Sequence, residues 1–114
     1  MKQPDDSVSL RQMLEYARSA YERAAGRTPE ELTTDPDLRD VLARRLEVLG
    51  EAANRVSKEL KNRHPEVPWL DIVGMRNRLI HAYDQVDLEH MWDTVTTDLP
   101  PLITALERIL GENA

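Results

Sequence analysis

The chain has 114 residues, 40% hydrophobic and 32% charged, with a net charge of −6, a balance that excludes a disordered chain and fits one globular domain. Cysteine is absent, which excludes disulfides, thiolate zinc sites and a thiol nucleophile, and the acidity argues against a broad basic face that coats long nucleic acid. Phenylalanine is absent too, so the core must come mainly from Leu, Ile, Val and Ala, which favours helix-on-helix packing.

No apolar run approaches the roughly 20 residues that span a bilayer. The opening MKQPDDSVSL lacks the apolar centre of a signal peptide. The expectation is a soluble, cytoplasmic chain with no membrane partner. It forms a single domain over residues 1–114, with residues 1–6 and 112–114 frayed.

Asp6 or Ser7 is the expected cap of a first helix, whose apolar face reads Leu10, Met13, Leu14, Ala17, Tyr21 and Ala24. Gly26 suits the residue beyond its end. Thr28-Pro29-Glu30-Glu31 reads as a capping box with proline in the first helical position, enough for one turn. Asp35-Pro36 opens the longest helix, with Leu38, Val41, Leu42, Leu46, Leu49, Ala53, Val56 and Leu60 on its apolar face, running to about Lys61. Gly50, Ala52 and Ala53 within it allow a neighbouring backbone to come close.

Asn62, Pro65 and Pro68 interrupt the helical pattern. A turn over Trp69–Ile72 leads into a helix from about Val73 to Ala82, and Asp87 caps the next one. Pro100-Pro101 kinks or ends that helix. Leu102, Ile103, Leu106, Ile109 and Leu110 mark the last one. No stretch alternates as a strand does. The architecture expected is an all-α up-and-down bundle of four main helices, the last broken by proline.

Chemistry gathers in WLDIVGMRNRLIHAYDQVD, residues 69–87. Arg76 can hold a phosphate in its planar fork. His81 can take or give a proton near neutral pH. Asn77 stands four residues before His81, on one helix face with it, and Tyr83 offers a hydroxyl and a stacking ring. These groups suit cleavage of an RNA phosphodiester without a metal: a base takes the ribose 2′ proton while a cation holds the phosphate. No cofactor is called for. In one straight helix His81 falls about 140° from Arg76. Either the helix ends before His81 and the backbone turns, or a second copy of the chain completes the site. A two-fold dimer with two such stretches facing each other is the preferred arrangement.

Other candidates are weaker. Glu47 and Glu51 stand at i, i+4 but lack the matching acidic, histidine-bearing helices of a bundle metal site. Glu47 is read as a solvated charge and Glu51 as a group reaching the Arg76 region to orient it. His64 and His90 are isolated, and Trp92 belongs to the core. Arg44-Arg45 and Lys58–Arg63 are basic patches on solvated faces; the second can border a nucleic acid or partner.

The stretch GMRNRLIHAY followed by VDLEHMWDTVTTDLPPL resembles HEPN domain proteins of the HepT type, the toxin halves of HepT–MntA toxin–antitoxin pairs. The family signature, Arg-x4-His-x-Tyr, is matched by Arg76, His81 and Tyr83. Leu46–Ala53, with its Gly50-Glu51-Ala52, and the Val67-Pro68-Trp69 lead-in add to the match, which covers about residues 8–110. The resemblance implies an all-α homodimer whose two motifs line one cleft. It implies a metal-independent endoribonuclease acting on cellular RNA, with Arg76 and His81 catalytic; Asn77, in the variable part of the motif, and Glu51 are supporting residues by position and not by the resemblance. It also implies an MntA-like nucleotidyltransferase antitoxin that transfers AMP onto Tyr83. Two rival readings stand beside it: a non-catalytic dimer that binds RNA or a nucleotide and serves its partner, and a plain interaction bundle whose motif only makes salt bridges.

Overall fold

The computed structural model describes residues 5–81 and 85–112, and the side chains of residues 76–81, 85–87 and 112 lie outside that description. Asp5 accepts the backbone N–H of Ser7 at 3.0 Å and so caps helix α1 (Asp6–Ala24). The cap falls one residue earlier than expected, which leaves Asp6 for another task. Its two carboxylate oxygens accept the backbone N–H and the hydroxyl of Ser57, at 2.9 and 2.6 Å. Helix α1 buries Leu10, Met13, Leu14, Ala17, Ala20 and Ala24. Tyr21, expected on that face, is 42% exposed. The contact line follows the small residues 17, 20 and 24 in steps of three and four and leaves position 21 on its flank.

Gly26 follows the helix end at φ +77°, the left-handed conformation glycine adopts without strain. The capping box forms at the start of helix α2 (Pro29–Thr34), with the Thr28 N–H donating to Glu31 Oε1 at 3.3 Å. Arg27 donates to Glu31 and, at 2.6 Å, to Asp35. Asp35 also caps helix α3 (Pro36–Arg55), accepting the N–H groups of Asp37 and Leu38 at 3.1 and 3.2 Å.

The long helix ends sooner than its apolar pattern predicts. Val56 leaves α3 in an extended conformation, and Ser57 caps a separate helix α4 (Lys58–Arg63) by accepting the Leu60 N–H at 3.2 Å. The Asp6 carboxylate holds Ser57 in that role. The break therefore depends on a contact from the far end of α1, and the apolar spacing of Val56 and Leu60 carries no trace of it.

Helix α5 (Trp69–His81) follows a loop. Helix α6 (Gln85–Asp93), a π-helical turn (Thr94–Asp98) and helix α7 (Leu99–Glu112) then run on without a gap. Asp87, expected as the cap of α6, lies inside it. The interruption expected at Pro100-Pro101 is the wide turn just before them. Neither proline can offer an N–H to the carbonyl four residues back, and the Leu99 N–H reaches Thr94 O, one residue further than in an α-helix.

Four long helical segments thus form the bundle, counting α6 to α7 as one, and no strand occurs among the described residues. Helix α1 packs on α3 and α7, and α3 packs on α5. Met13, Leu42, Leu46, Leu49, Leu106 and Ile109 are fully buried at the centre. No helix among the described residues is long and apolar enough to cross a membrane.

Candidate functional site

The entry to α5 is tightly built. His64 closes α4, and its carbonyl accepts the Val67 N–H at 3.2 Å and the Trp69 indole N–H at 3.0 Å. Trp69 itself is buried. Pro68 supplies a carbonyl to the Ile72 N–H at 3.0 Å, so the helix begins at Trp69 and not at Val73. The His64 ring nitrogen Nδ1 lies 3.3 Å from Glu66 Oε2, and Arg108 of α7 donates to the same oxygen at 2.7 Å. The backbone N–H of Glu66 does most to hold its carboxyl below the usual range; desolvation, next in size, opposes it, and His64 and Arg108 add to the lowering. Hydrogen bonds and charge together tie the start of α5 to the end of the bundle.

The first two turns of α5 have two unlike faces. Trp69, Ile72 and Met75 are buried in the core. Leu70 is 89% exposed. At Gly74, one turn on from Leu70, no heavy atom among the described residues lies within 4 Å of where a Cβ would stand. Close packing among the described residues therefore does not explain the glycine. The sequence contained a signal for the outer face that composition hides: Leu70 is out of phase with the stripe of Trp69, Ile72 and Met75.

Arg76, Asn77 and His81 all lie within α5, which runs unbroken to His81. This removes one of the two geometric alternatives, a backbone turn before the histidine. By register, positions 76 and 81 are about 140° apart on the helix, and position 81 falls three turns beyond Leu70 on nearly the same line. The side chains of Arg76, Asn77 and His81 lie outside the described residues, as does the whole of Tyr83. Glu51 is half-buried on α3, the helix against which α5 packs. Glu47, one turn before it, pairs with Arg44 at 3.5 Å. Arg45 of the first basic patch is engaged elsewhere, donating to Ser19 at 2.9 Å and lying over the Tyr16 ring. Among the described residues no three His, Asp or Glu side chains are grouped to hold a metal ion.

Comparison with known proteins addresses the family directly. The family model described as ribonuclease HepT-like matches residues 13–109. A protein of Caldanaerobacter subterraneus named as a candidate RNase is 36% identical over 101 residues, covering 89% of this chain and 90% of its own. A protein of Thermococcus cleftensis named a probable ribonuclease HepT is 38% identical over 80 residues, covering 70% of this chain and 73% of its own. A further candidate RNase, from Methanocaldococcus jannaschii, is 31% identical over 107 residues, covering 94% and 98%. No solved structure gives a significant match. With a matched region that takes in α3, α5 and the Arg-x4-His-x-Tyr motif, the chain belongs to the HepT-like ribonuclease family.

Proposed function

We propose that the protein is a dimeric, metal-independent endoribonuclease, the cytoplasmic toxin of a toxin–antitoxin pair, in which two copies of the α5 motif build one cleft. Arg76 holds the scissile phosphate and offsets the charge that develops on it. His81 takes the proton of the ribose 2′-OH. The 2′-oxygen attacks phosphorus, the bond to the 5′-oxygen of the next nucleotide breaks, and a 2′,3′-cyclic phosphate remains. The leaving oxygen recovers a proton from an imidazolium of the cleft. Asn77 and Glu51 orient these groups. A nucleotidyltransferase partner silences the cleft: the Tyr83 oxygen gives up its proton and attacks the α-phosphorus of ATP, the α–β phosphoanhydride bond breaks, pyrophosphate leaves, and the AMP left on Tyr83 adds a negative phosphate and a bulky base at a cationic mouth.

One observation carries the dimeric part of this reading: α5 is helical through both Arg76 and His81, so one copy holds the two at divergent registers and a second copy is needed to bring them together. Leu70 and Gly74 mark the face on which that copy packs. The test is complementation. Arg76→Ala and His81→Ala chains should each leave RNA intact in the presence of a chelator, and a refolded mixture should recover cleavage because mixed dimers hold one Arg and one His in the shared cleft. A mixture as inert as its parents sinks the shared cleft. Wild type as inert as His81→Ala moves the reading to a non-catalytic dimer that binds RNA or a nucleotide. Wild type should take label from radioactive ATP in the presence of the nucleotidyltransferase and Tyr83→Phe should not.

A further inference from the structure

On the flank of α5 turned away from Leu70, the helix forms one wall of a groove of about 510 Å³. Ile72, Met75 and Leu102 contribute to its apolar lining, and Glu66, Asp71 and Asp98 bring carboxylates to it. The opposite wall follows α6, the π turn and α7 from His90 to Ala105, a rise of about 22 Å at helical spacing. Glu66 is engaged by Arg108 and His64. Asp71 and Asp98 are exposed and have no cationic partner among the described residues.

We infer that this groove is a docking surface for a cationic, amphipathic helical segment of a partner protein. Its apolar lining takes apolar anchors at i, i+3, i+4 and i+7, and its carboxylates take lysine or arginine on either side of them. The long wall matches about four turns of helix, more than a small molecule fills. RNA is the wrong charge for it. A second copy docking face to face across a two-fold axis would set Asp71 and Asp98 against their own counterparts. The inference stands apart from the ribonuclease reading, since it uses neither Arg76 nor His81 and its readout is binding.

The probe is an amphipathic leucine–lysine peptide about 14 residues long, with a leucine–glutamate peptide of the same pattern as its control. Each is titrated into the isotope-labelled full chain and followed by amide NMR. The lysine peptide should shift the amides of Asp71, Ile72, Thr94 and Asp98, and Asp71→Lys with Asp98→Lys should raise its Kd about tenfold or more. Glu15→Lys with Glu22→Lys makes the same change of net charge on α1 and should leave the Kd within about twofold. The inference is overturned if the glutamate peptide binds as well, if the shifts map elsewhere, or if both charge-reversed pairs weaken binding alike. It is equally overturned if a short RNA moves the same amides. A shift of the dimer–monomer equilibrium by the Asp71→Lys, Asp98→Lys pair in sedimentation would give the groove to a second copy and also overturn it.

Discussion

The two faces of the first two turns of α5 are built from opposite materials. On the inner face Trp69, Ile72 and Met75 are each at most 9% exposed, and the Trp69 indole is hydrogen bonded to His64 O at 3.0 Å. On the outer face Leu70 stands 89% exposed, followed by a glycine with no described atom within 4 Å of where a side chain would start. The inner face is complete within one chain. An exposed leucine does not improve solubility, and a glycine in a helix costs about 1 kcal/mol against alanine. Under the dimeric reading proposed above, the inner face is the one the chain satisfies itself and the outer face the one a second copy covers.

Substitutions on the two faces should therefore be read out by different measurements. Trp69→Ala has the largest expected effect, about 3–5 kcal/mol of unfolding free energy, measured by urea denaturation. Trp69→Phe should cost less, about 1 kcal/mol, because the His64 carbonyl keeps the Val67 N–H when the indole donor is lost. Leu70→Glu should leave unfolding within about 0.5 kcal/mol of wild type and raise the dimer dissociation constant about tenfold or more. RNA cleavage should fall with dimer occupancy. A Leu70→Glu chain that stays dimeric and fully active would remove the outer face from the site.

What could be read from sequence divides along the same line. Local devices were legible because their partners are neighbours: the Thr28–Glu31 capping box, the glycine at position 26 and the Asp35-Pro36 start. The all-α class followed from periodicity, and the family from the resemblance that Arg76, His81 and Tyr83 carry. The end of α3 was not legible, because the apolar spacing runs on through Val56 and Leu60 while Ser57, held by Asp6 of another helix, caps a separate helix. Nor was the acidic groove, whose Asp71 and Asp98 lie on different helices and meet only through packing. The sequence pattern sets the start of α5 late, since a proline reads as a breaker, while the Pro68 carbonyl serves the first helical hydrogen bond.

Gly74→Ala sets stability against association at a single position. Alanine restores helix propensity and meets no described atom within 4 Å, so the unfolding free energy should rise by about 0.5–1 kcal/mol. A second helix lying close against this face would be pushed away by the added methyl, so the dimer should weaken while the monomer gains. The two changes are separable by following denaturation at low concentration and sedimentation at high concentration. A variant that gains on both counts would show that the face is solvated in the dimer as well.

Acid offers the smallest and most selective perturbation, because it acts on charge and spares the apolar face of α5. Glu31 is held below the usual carboxylate range first by the hydrogen bond from Arg27. Asp35 is held low first by the Leu38 N–H and then by Arg27, and Glu66 first by its own N–H and then by His64. A carboxylate whose folded value is depressed stabilises the fold above its unfolded value and loses that contribution as pH falls through the folded one. All three share this sign, so stability should hold steady down to about pH 4 and decline below it. All three are exposed pairs, and the slope should be shallow. Amide exchange should quicken first in α2, held by the Arg27 clamp, and at the loop before α5, while the amides of Ile72 and Met75 stay protected. Glu31→Gln with Asp35→Asn should flatten the part of the slope that belongs to α2 and leave the α5 entry to titrate with Glu66. If the inner face of α5 opened together with α2 instead, charge and not packing would be holding it, and the contrast between the two faces would fail.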